Sequence, residues 1–493
     1  MQARLEMPHR VLPDRAGRDS HLGILFTAAC LLGVAALLAA AAPGLARQAR
    51  VGALASGAPV WTSVVDSPLH NSEWEAAVAE APDGTLYLLS SSGEPEGGVP
   101  NDLLLCAFDG DDGADPHLMR TSYWDGPSHL SEYARALCVD TAGNVIAVGD
   151  AETFAVGKDW AVVKWGPTGN ELWSRLIDGG ATLNDYATDV VCDAAGDIYV
   201  CGRAGADNGG SEAVVMKLAG GDGTTLWTAR HAGTPDAHGD NAFAALAIDA
   251  QRNTYATGTV TGRDGNIDIL TGRFDPSGQR IWLKRESGAR NRLDEGTAIA
   301  IGKKGAVFVA GTVTTAANHA QKKVAVLRYE AKGKRAMRVL WQPTGVGRHG
   351  ISSVGGLGVD AAGDAYVAGR THIAANRSPA YIAKWDVHGH RSWSRAWIGT
   401  KAPKLAEFSD VIVDGSGRAW VAGSYRSENG TWDWVVARFN PGGTAAWSDT
   451  WDGPAANNDY CDSLCLAGSK GLFVGGTVSG LLGFDATGAK YIR

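Results

Sequence analysis

The chain has 493 residues, of which 65 are glycine and 20% are charged, and its formal net charge is −8. This acidic balance argues against nucleic acid or an anionic lipid surface as the main partner of the protein. A single hydrophobic core rarely extends over so long a chain, so the length favours a repeat architecture in which each unit packs mainly on its neighbours.

The N-terminal part of the sequence has the pattern of an export signal or membrane anchor. Residues 1–21 are polar and rich in arginine, and residues 22–42 form an uncharged apolar run long enough to cross a bilayer as one helix. The basic segment predicts a cytoplasmic N-terminus and an extracytoplasmic remainder. Small residues after the run offer a cleavage site, so both a single-pass anchor and a secreted form stay open. Residues 43–58 are predicted to be a linker, and residues 59–493 the folded domain.

A Gly-x-x-x-Trp pattern recurs along the chain at intervals of roughly 55 residues, each time at the start of a short apolar run. Such a period, built from short alternating runs, predicts a β-propeller. We expect each Trp to pack between adjacent blades, with its N–H bound to a backbone acceptor. A stretched copy is expected to end at Trp341. The regular copies are Gly57–Trp61, Gly169–Trp173, Gly223–Trp227, Gly278–Trp282, Gly389–Trp393 and Gly443–Trp447.

Each repeat also contains two short apolar runs around an Asp/Gly turn. The Asp side chain can accept a hydrogen bond from the backbone N–H two residues later, and the following Gly can adopt a positive φ. A third strand follows, with a recurring basic residue for which we expect a cross-strand or inter-blade salt bridge. The turns open at Asp140, Asp193, Asp249, Asp360 and Asp414, and the basic residues are Lys164, Lys217, Arg273, Arg328, Lys384 and Arg438.

The number of turns predicts the number of blades. The turn pattern occurs eight times, an orphan strand at residues 60–65 precedes the first complete copy, and the last copy is clipped. We therefore predict an all-β propeller of eight four-stranded blades, closed by an N-terminal strand that joins the C-terminal blade and so removes both free edges. Seven blades is the alternative, if the weak C-terminal copy is a cap. A monomer is expected.

The repeat resembles a known family pattern. Asp185-Tyr186-Ala187, followed by Asp193 and Gly196, is similar to the bacterial surface β-propeller (SBBP-type) repeat. The step from Gly169 to Trp173 is also similar to that of the tryptophan-docked, eight-bladed quinoprotein propellers. Both resemblances imply architecture and not activity. Quinone-binding members carry an adjacent Cys-Cys pair, and this sequence has none.

Two sets of acidic residues are candidate Ca²⁺ ligands. One set precedes the innermost strands, where carboxylates gathered at one mouth of the channel could hold a hard cation. The alternative is that each carboxylate caps a loop or bonds to a neighbouring blade. The other set lies in one acidic loop without the distal Glu of a calcium loop, so a solvated hairpin tip is its alternative. The first set is Glu73, Glu132, Asp185, Asp294 and Asp459, and the loop set is Asp109, Asp111, Asp112 and Asp115.

The seven cysteines show no obvious disulfide framework. We expect them to be small buried strand residues. One long-range disulfide stays open, with Cys106 as a candidate partner. Without a Cys-x-x-Cys pair, a structural zinc site is not expected.

No catalytic residue or cofactor site is predicted. The sequence has neither a Gly-x-Ser-x-Gly elbow nor a His-Glu-x-x-His helix. The connections before the innermost strands are long and varied, which is typical of interaction surfaces on a rigid scaffold. The sequence therefore favours an exported, non-catalytic scaffold that binds a protein or glycan at the cell surface. The alternative is an extracytoplasmic propeller enzyme, a quinoprotein-like oxidoreductase or a lyase or hydrolase, whose site the sequence does not identify.

Overall fold

The computed structural model describes residues 59–65, 72–93, 100–110, 118–154, 157–180, 184–207, 209–233, 239–262, 265–288, 293–315, 322–343, 351–373, 377–398, 404–455, 457–468, 471–480 and 484–492, without the side chains of 72–76, 351, 404 and 492. The predicted basic segment, apolar helix and linker of residues 1–58 lie outside these ranges. Within them, none of the helical structure is long and apolar enough to cross a bilayer.

The first five strand groups of the chain are one orphan strand and four complete blades. Strand β1 (Pro59–Val65) comes first. Blades 1 to 4 follow as β2 (Ser72–Glu80), β3 (Leu86–Gly93), β4 (Asp102–Phe108), β5 (Leu118–Trp124); β6 (Glu132–Val139), β7 (Val145–Thr153), β8 (Gly157–Trp165), β9 (Glu171–Ile177); β10 (Tyr186–Cys192), β11 (Ile198–Gly205), β12 (Ser211–Leu218), β13 (Thr225–His231); and β14 (Ala242–Ile248), β15 (Thr254–Thr261), β16 (Ile267–Phe274), β17 (Arg280–Glu286).

Four more blades complete the ring. Blades 5 to 8 are β18 (Glu295–Ile301), a 3-10 turn (Lys303–Gly305), β19 (Val307–Thr314), β20 (Lys322–Tyr329), β21 (Arg335–Trp341); β22 (Ile351–Val359), β23 (Ala365–His372), β25 (Ala380–Trp385), β26 (Arg391–Trp397); β27 (Lys404–Val413), β28 (Ala419–Arg426), β29 (Trp432–Phe439), β30 (Ala445–Trp451); and β31 (Tyr460–Ala467), β32 (Gly471–Ser479), β33 (Phe484–Ile492) with β1. The short β24 (Arg377–Ser378), which lies between β23 and β25 in the chain, pairs parallel with β27 of blade 7. In each blade the first strand lies innermost.

The two ends of the described chain meet in blade 8. Strand β1 pairs antiparallel with β33, and Trp61 lies opposite Lys490. The Trp61 ring stacks 5.8 Å from the ring of Phe108 in blade 1 and lies 5.9 Å from that of Phe473 in blade 8. The prediction of eight blades closed by an N-terminal strand is confirmed, and the seven-blade alternative is wrong.

Small residues let the innermost strands approach one another around the axis. A Cβ atom on Gly355 of β22 would lie 2.1 Å from the Phe408 carbonyl oxygen of β27. No real Cβ tolerates that distance, so a larger residue at this position would force the two strands apart.

The tryptophans of the Gly-x-x-x-Trp steps dock against the next blade. The Nε1–H of Trp393 donates to the Pro441 carbonyl oxygen at 2.8 Å, and that of Trp173 donates to the Gly220 carbonyl oxygen at 3.3 Å. Gly443 has φ +81° and sits against the Trp393 ring, where a Cβ atom would lie 2.4 Å from a ring carbon. Gly223, Gly278 and Gly443 therefore each form the turn of their own step and contact the tryptophan of the preceding step. The predicted inter-blade packing of the tryptophans is confirmed.

The stretched copy ending at Trp341 is wrong. Met337 lies opposite Arg328 in blade 5, as Trp393 lies opposite Lys384 in blade 6. Trp341 instead pairs with Val324 at the far end of the strand. Blade 5 thus keeps the regular spacing, with Gly333 to Met337 as its step, and uses methionine in place of the docking tryptophan.

The alternating strand directions give the disc two unlike faces. One face, here called the turn face, carries tight turns such as 140–144 and 166–170. The Ala142 N–H donates to Asp140 Oδ1 at 2.9 Å in the first of these, as predicted. The other face, here called the loop face, carries the connections between second and third strands and those from one blade to the next, such as 125–131.

Candidate functional site

Buried acids lie on the loop face at the junctions between blades. Asp459, just before β31, accepts hydrogen bonds from the Gly453 N–H at 2.6 Å and the Ser479 N–H at 2.8 Å. Gly453 belongs to the connection from blade 7, and Ser479 ends the second strand of blade 8. The carboxylate therefore fastens the incoming connection to the blade that it enters.

The same arrangement recurs at other junctions. Asp185 accepts from the N–H groups of Gly179 and Gly205, and Asp294 accepts from those of Gly288 and Thr314. Asn241 accepts from the Thr261 N–H through its side-chain oxygen. Burial raises the pKa of Asp294 and of Asp459 to about 6 each, against the lowering effect of these backbone donors. This geometry is the loop-capping alternative of the sequence analysis.

Glu132 occupies the equivalent position between blades 1 and 2 but is bonded differently. Its side chain is fully buried, and neither carboxylate oxygen has a hydrogen-bond partner. The N–H of Glu152 stands where Ser479 stands relative to Asp459, yet it donates to the Ser131 carbonyl oxygen at 2.9 Å. Burial raises the pKa of Glu132 to about 8, the nearby Gly126 N–H opposes this, and the negative charges of Asp102 and Asp125 add to it.

Glu132 is one of three acids in a compact cluster. Carboxylate oxygens of Asp102, Asp125 and Glu132 all lie within 4.8 Å of one another. Burial, followed by the charge of Asp125, raises the pKa of Asp102 to about 6. The Nδ1 atom of exposed His129 lies 2.5 Å from Asp125 Oδ2. Three oxygen-donor groups with one buried and unpartnered member form the kind of set that a hard cation takes.

A second acidic cluster joins blades 2 and 3. Carboxylate oxygens of Asp159, Asp178 and Asp185 also lie within 4.8 Å of one another. Here the buried member, Asp185, has backbone donors on both oxygens, and Asp178 Oδ1 accepts from the Gly180 N–H at 2.7 Å. The two clusters therefore have the same residue type and place but differ in whether the buried carboxylate is already satisfied.

The described residues do not bring the remaining candidate Ca²⁺ ligands of the sequence together in one site. The side chain of Glu73 and the residues Asp111, Asp112 and Asp115 lie outside the described part of the structure. Asp109 is half-buried at the end of the described portion of its loop. Calcium binding at these positions stays a prediction.

The axis of the disc holds an apolar cavity of about 370 Å³, to which all eight innermost strands contribute residues. Its polar side chains are few, among them Glu80 and Asp410. A disulfide between Cys138 of β6 and Cys192 of β10 forms part of its wall and links blades 2 and 3. The expectation of unbridged cysteines is thus wrong for this pair. The long-range disulfide that the sequence left open is present, but it does not involve Cys106, which is buried. The pair was hard to predict because the two positions differ by one within the repeat.

Two acids missed by the sequence analysis lie between innermost strands. Asp410 Oδ2 accepts from the Leu464 N–H of the next blade at 3.2 Å, and Asp189 Oδ2 accepts from the Leu246 N–H at 2.8 Å. Burial raises the pKa of each to about 7. The sequence signal that could have found them is an Asp at the same position of the repeat in two innermost strands, four residues before the turn residues Asp193 and Asp414.

Comparisons with known proteins support the fold. No family model matches the sequence, and no curated protein matches it. The quinohemoprotein alcohol dehydrogenase from Comamonas testosteroni is 11% identical, with a TM-score of 0.55 over 88% of this chain and 76% of that one. A europium-containing methanol dehydrogenase is 11% identical, with a TM-score of 0.51 over 87% and 85% of the two chains. An ulvan lyase of polysaccharide lyase family PL25 is 11% identical, with a TM-score of 0.44 over 89% and 92%. At such identities the first two likenesses show the propeller architecture alone.

Proposed function

We propose that the protein is an exported, non-catalytic propeller scaffold that binds a protein or glycan partner through its loop face. The contrast between the two faces carries this proposal. Turns of the turn face are short and held by their own Asp side chains, as in the Asp360 turn, where the Ala362 and Asp364 N–H groups both donate to Oδ1. Connections of the loop face are longer and differ in sequence from blade to blade.

Rigid support under variable connections favours recognition at the loop face. The Asp459, Asp185 and Asp294 bonds fix the base of three inter-blade connections. A scaffold that holds loop bases in place lets loop tips vary without loss of the fold. The arrangement is therefore suited to a binding surface.

An aromatic side chain on the loop face is a candidate contact. Phe154 follows β7 in the connection to β8 and is 78% exposed. Tyr123, near the loop-face end of β5 in the adjacent blade, is 38% exposed. Aromatic residues are enriched at the centre of protein interfaces and cost little conformational entropy on binding.

Two features support a location outside the cytoplasm. The basic segment of residues 1–21 and the apolar run of residues 22–42 have the charge order of an exported chain. The Cys138–Cys192 bond supports an oxidising compartment, because cytosolic thiols are kept reduced.

Binding is tested with the full-length protein in detergent solution. The wild type, Phe154→Ser and Leu226→Ser are compared for photo-crosslinking to surface proteins of the producing cells and for binding to a glycan array. Leu226 is 50% exposed on the outermost strand β13 and is the matched control for loss of an exposed apolar side chain. A specific protein or glycan that is lost only in Phe154→Ser supports the proposal.

The enzyme alternative is tested in the same preparation. Quinone and Ca²⁺ are added, and reduction of an artificial dye is followed. Specific turnover, together with no ligand in either binding assay, would replace the scaffold proposal with an enzymatic function.

A further inference from the structure

We propose that Asp102, Asp125 and Glu132 form a Ca²⁺ site between blades 1 and 2 on the loop face. The inference is independent of the proposed binding function, because it concerns how this junction is held. It narrows the candidate acids of the sequence to one cluster and brings in two aspartates that the sequence analysis did not select.

The first argument is the unsatisfied carboxylate. Burying a carboxylate without a partner is costly, and proteins satisfy such groups with donors or metal ions. At the junctions of Asp185, Asp294 and Asp459, two backbone N–H groups meet this need. At Glu132 the Gly126 N–H is near the carboxylate but forms a hydrogen bond to neither oxygen, although the residue is fully buried.

The second argument is the geometry that separates Glu132 from the aspartates. A glutamate side chain is one methylene longer, and the equivalent second donor, the Glu152 N–H, is engaged by the Ser131 carbonyl oxygen. The Glu132 oxygens lie within 4.8 Å of those of Asp102 and Asp125. Glu132 is therefore directed toward two further carboxylates in place of the backbone.

The third argument is charge. Three carboxylates in one cluster repel one another. The imidazole beside them, that of His129, is exposed, and its Nδ1 atom lies 2.5 Å from Asp125 Oδ2. A divalent cation removes this repulsion. Asn101, whose carbonyl oxygen accepts from the Glu132 N–H at 2.7 Å, has a buried and unpartnered side-chain oxygen that lies against Gly93.

The all-oxygen donor set selects the metal. Carboxylates suit hard cations, and Ca²⁺ accepts irregular geometry and a bidentate glutamate, whereas Mg²⁺ requires a near-ideal octahedron. A bound Ca²⁺ would connect Asp102 of β4 and Asp125 after β5 to Glu132 of β6. Blades 1 and 2 would thus be joined by a metal, where the junctions of Asp185, Asp294 and Asp459 use hydrogen bonds.

The test is a thermal melt of the full-length protein in detergent, after treatment with chelator, with and without CaCl₂. We expect Ca²⁺ to raise the Tm of the wild type by several degrees, because a ligand that binds only the folded state stabilises it. Glu132→Gln should lose this shift. Asp185→Asn, in the cluster whose buried acid is already satisfied, should keep it. If Ca²⁺ leaves the Tm of the wild type unchanged, or raises the Tm of Glu132→Gln by the same amount, the proposed site is wrong.

A second readout does not depend on the stability of the variant. The Trp124 ring and the Glu132 carboxylate both lie against Gly126, where a Cβ atom would be 3.4 Å and 2.7 Å from them. Terbium bound at the site should therefore show tryptophan-sensitised emission that Ca²⁺ displaces and that falls strongly in Trp124→Phe. Emission that is unchanged in Trp124→Phe, or that Ca²⁺ does not displace, would place the ion elsewhere and contradict the site.

Discussion

The Lys384 ammonium lies 3.0 Å from Asp360 Oδ2 and 3.0 Å from Asp364 Oδ2, so one cation of the third strand of blade 6 holds the turn between its first two strands. The Lys384 side chain is only 11% exposed. Removing one partner of a buried ion pair leaves the other charge uncompensated. We predict that Lys384→Met lowers the free energy of unfolding by about 3 kcal/mol, measured by urea denaturation.

The control for this prediction is an exposed pair. Lys334 lies 3.9 Å from Glu330, and its side chain is 77% exposed. Because solvent screens such pairs, Lys334→Met should change the free energy of unfolding by about 0–1 kcal/mol. Equal effects of the two substitutions would show that burial does not set the strength of the Lys384 interaction.

Docking of Trp393 gives a second prediction. Its Nε1–H bond to the Pro441 carbonyl oxygen crosses between blades 6 and 7, while the ring packs 5.8 Å from that of Tyr366. Trp393→Phe keeps an aromatic ring but removes the donor, and should cost about 1–3 kcal/mol in the free energy of unfolding. Leu226→Ala on an exposed strand position should stay within about 0.5 kcal/mol. An unaffected urea midpoint in Trp393→Phe would argue against inter-blade docking.

The buried Asp410 carboxyl makes the stability of the fold depend on pH. Its pKa of about 7 when folded exceeds the value of about 4 expected in the unfolded chain. At a pH between these two values, Asp410 is protonated in the folded protein but ionised in the unfolded chain. Protonated Asp410 therefore stabilises the fold below pH ~4, and this contribution to the free energy of unfolding is lost as the pH rises toward 7. Asp410→Asn should show a weaker fall in urea midpoint between pH 5 and 7.5 than the wild type.

Asp414 is the control, because its pKa is shifted in the opposite direction to that of Asp410. Burial raises its pKa, but hydrogen bonds from Ser416 and Arg418 outweigh burial, so the pKa lies well below its ordinary value. Its charged form stabilises the fold above pH ~4, and this contribution is lost on acidification. Asp414→Asn should thus destabilise at pH 7 more than at pH 4. If the urea midpoints of Asp410→Asn and Asp414→Asn depended on pH in the same way, the opposite pKa shifts of these two residues would be refuted.

The Cys138–Cys192 bond gives a fourth prediction. It closes a long loop across two blades, and loss of such a crosslink typically costs about 2–4 kcal/mol. A reductant should lower the Tm of the wild type and leave that of the Cys138→Ser, Cys192→Ser double variant unchanged. A reductant effect that persists in the double variant would mean that another group is responsible.

The sequence predicted the architecture because each blade repeats the same local signals. The Asp140 turn and the Trp173 step are recognisable alone, since a few neighbouring residues determine them. The Gly-x-x-x-Trp pattern does not include Met337, because methionine replaces the docking tryptophan in blade 5, and Trp341 lies only four residues further along the strand.

The candidate site was predictable in place but not in chemistry. Glu132 and Asp185 share one position in the repeat, and their difference depends on contacts between blades: which backbone N–H each oxygen reaches, and where Asp102 lies. A single sequence does not contain these distances. For the same reason the Asp410 bond to Leu464 in the next blade was missed.

Closure of the ring is the central claim, because both faces and every blade junction depend on it. Thr62 of β1 lies opposite Ala489 of β33. In Thr62→Cys, Ala489→Cys, mild oxidation should link the two ends of one chain, giving a faster, reductant-sensitive band on a denaturing gel. The pair Thr62→Cys, Ala486→Cys, three residues out of register, should link poorly. Intermolecular dimers alone, or equal linking of both pairs, would contradict a closed eight-bladed disc.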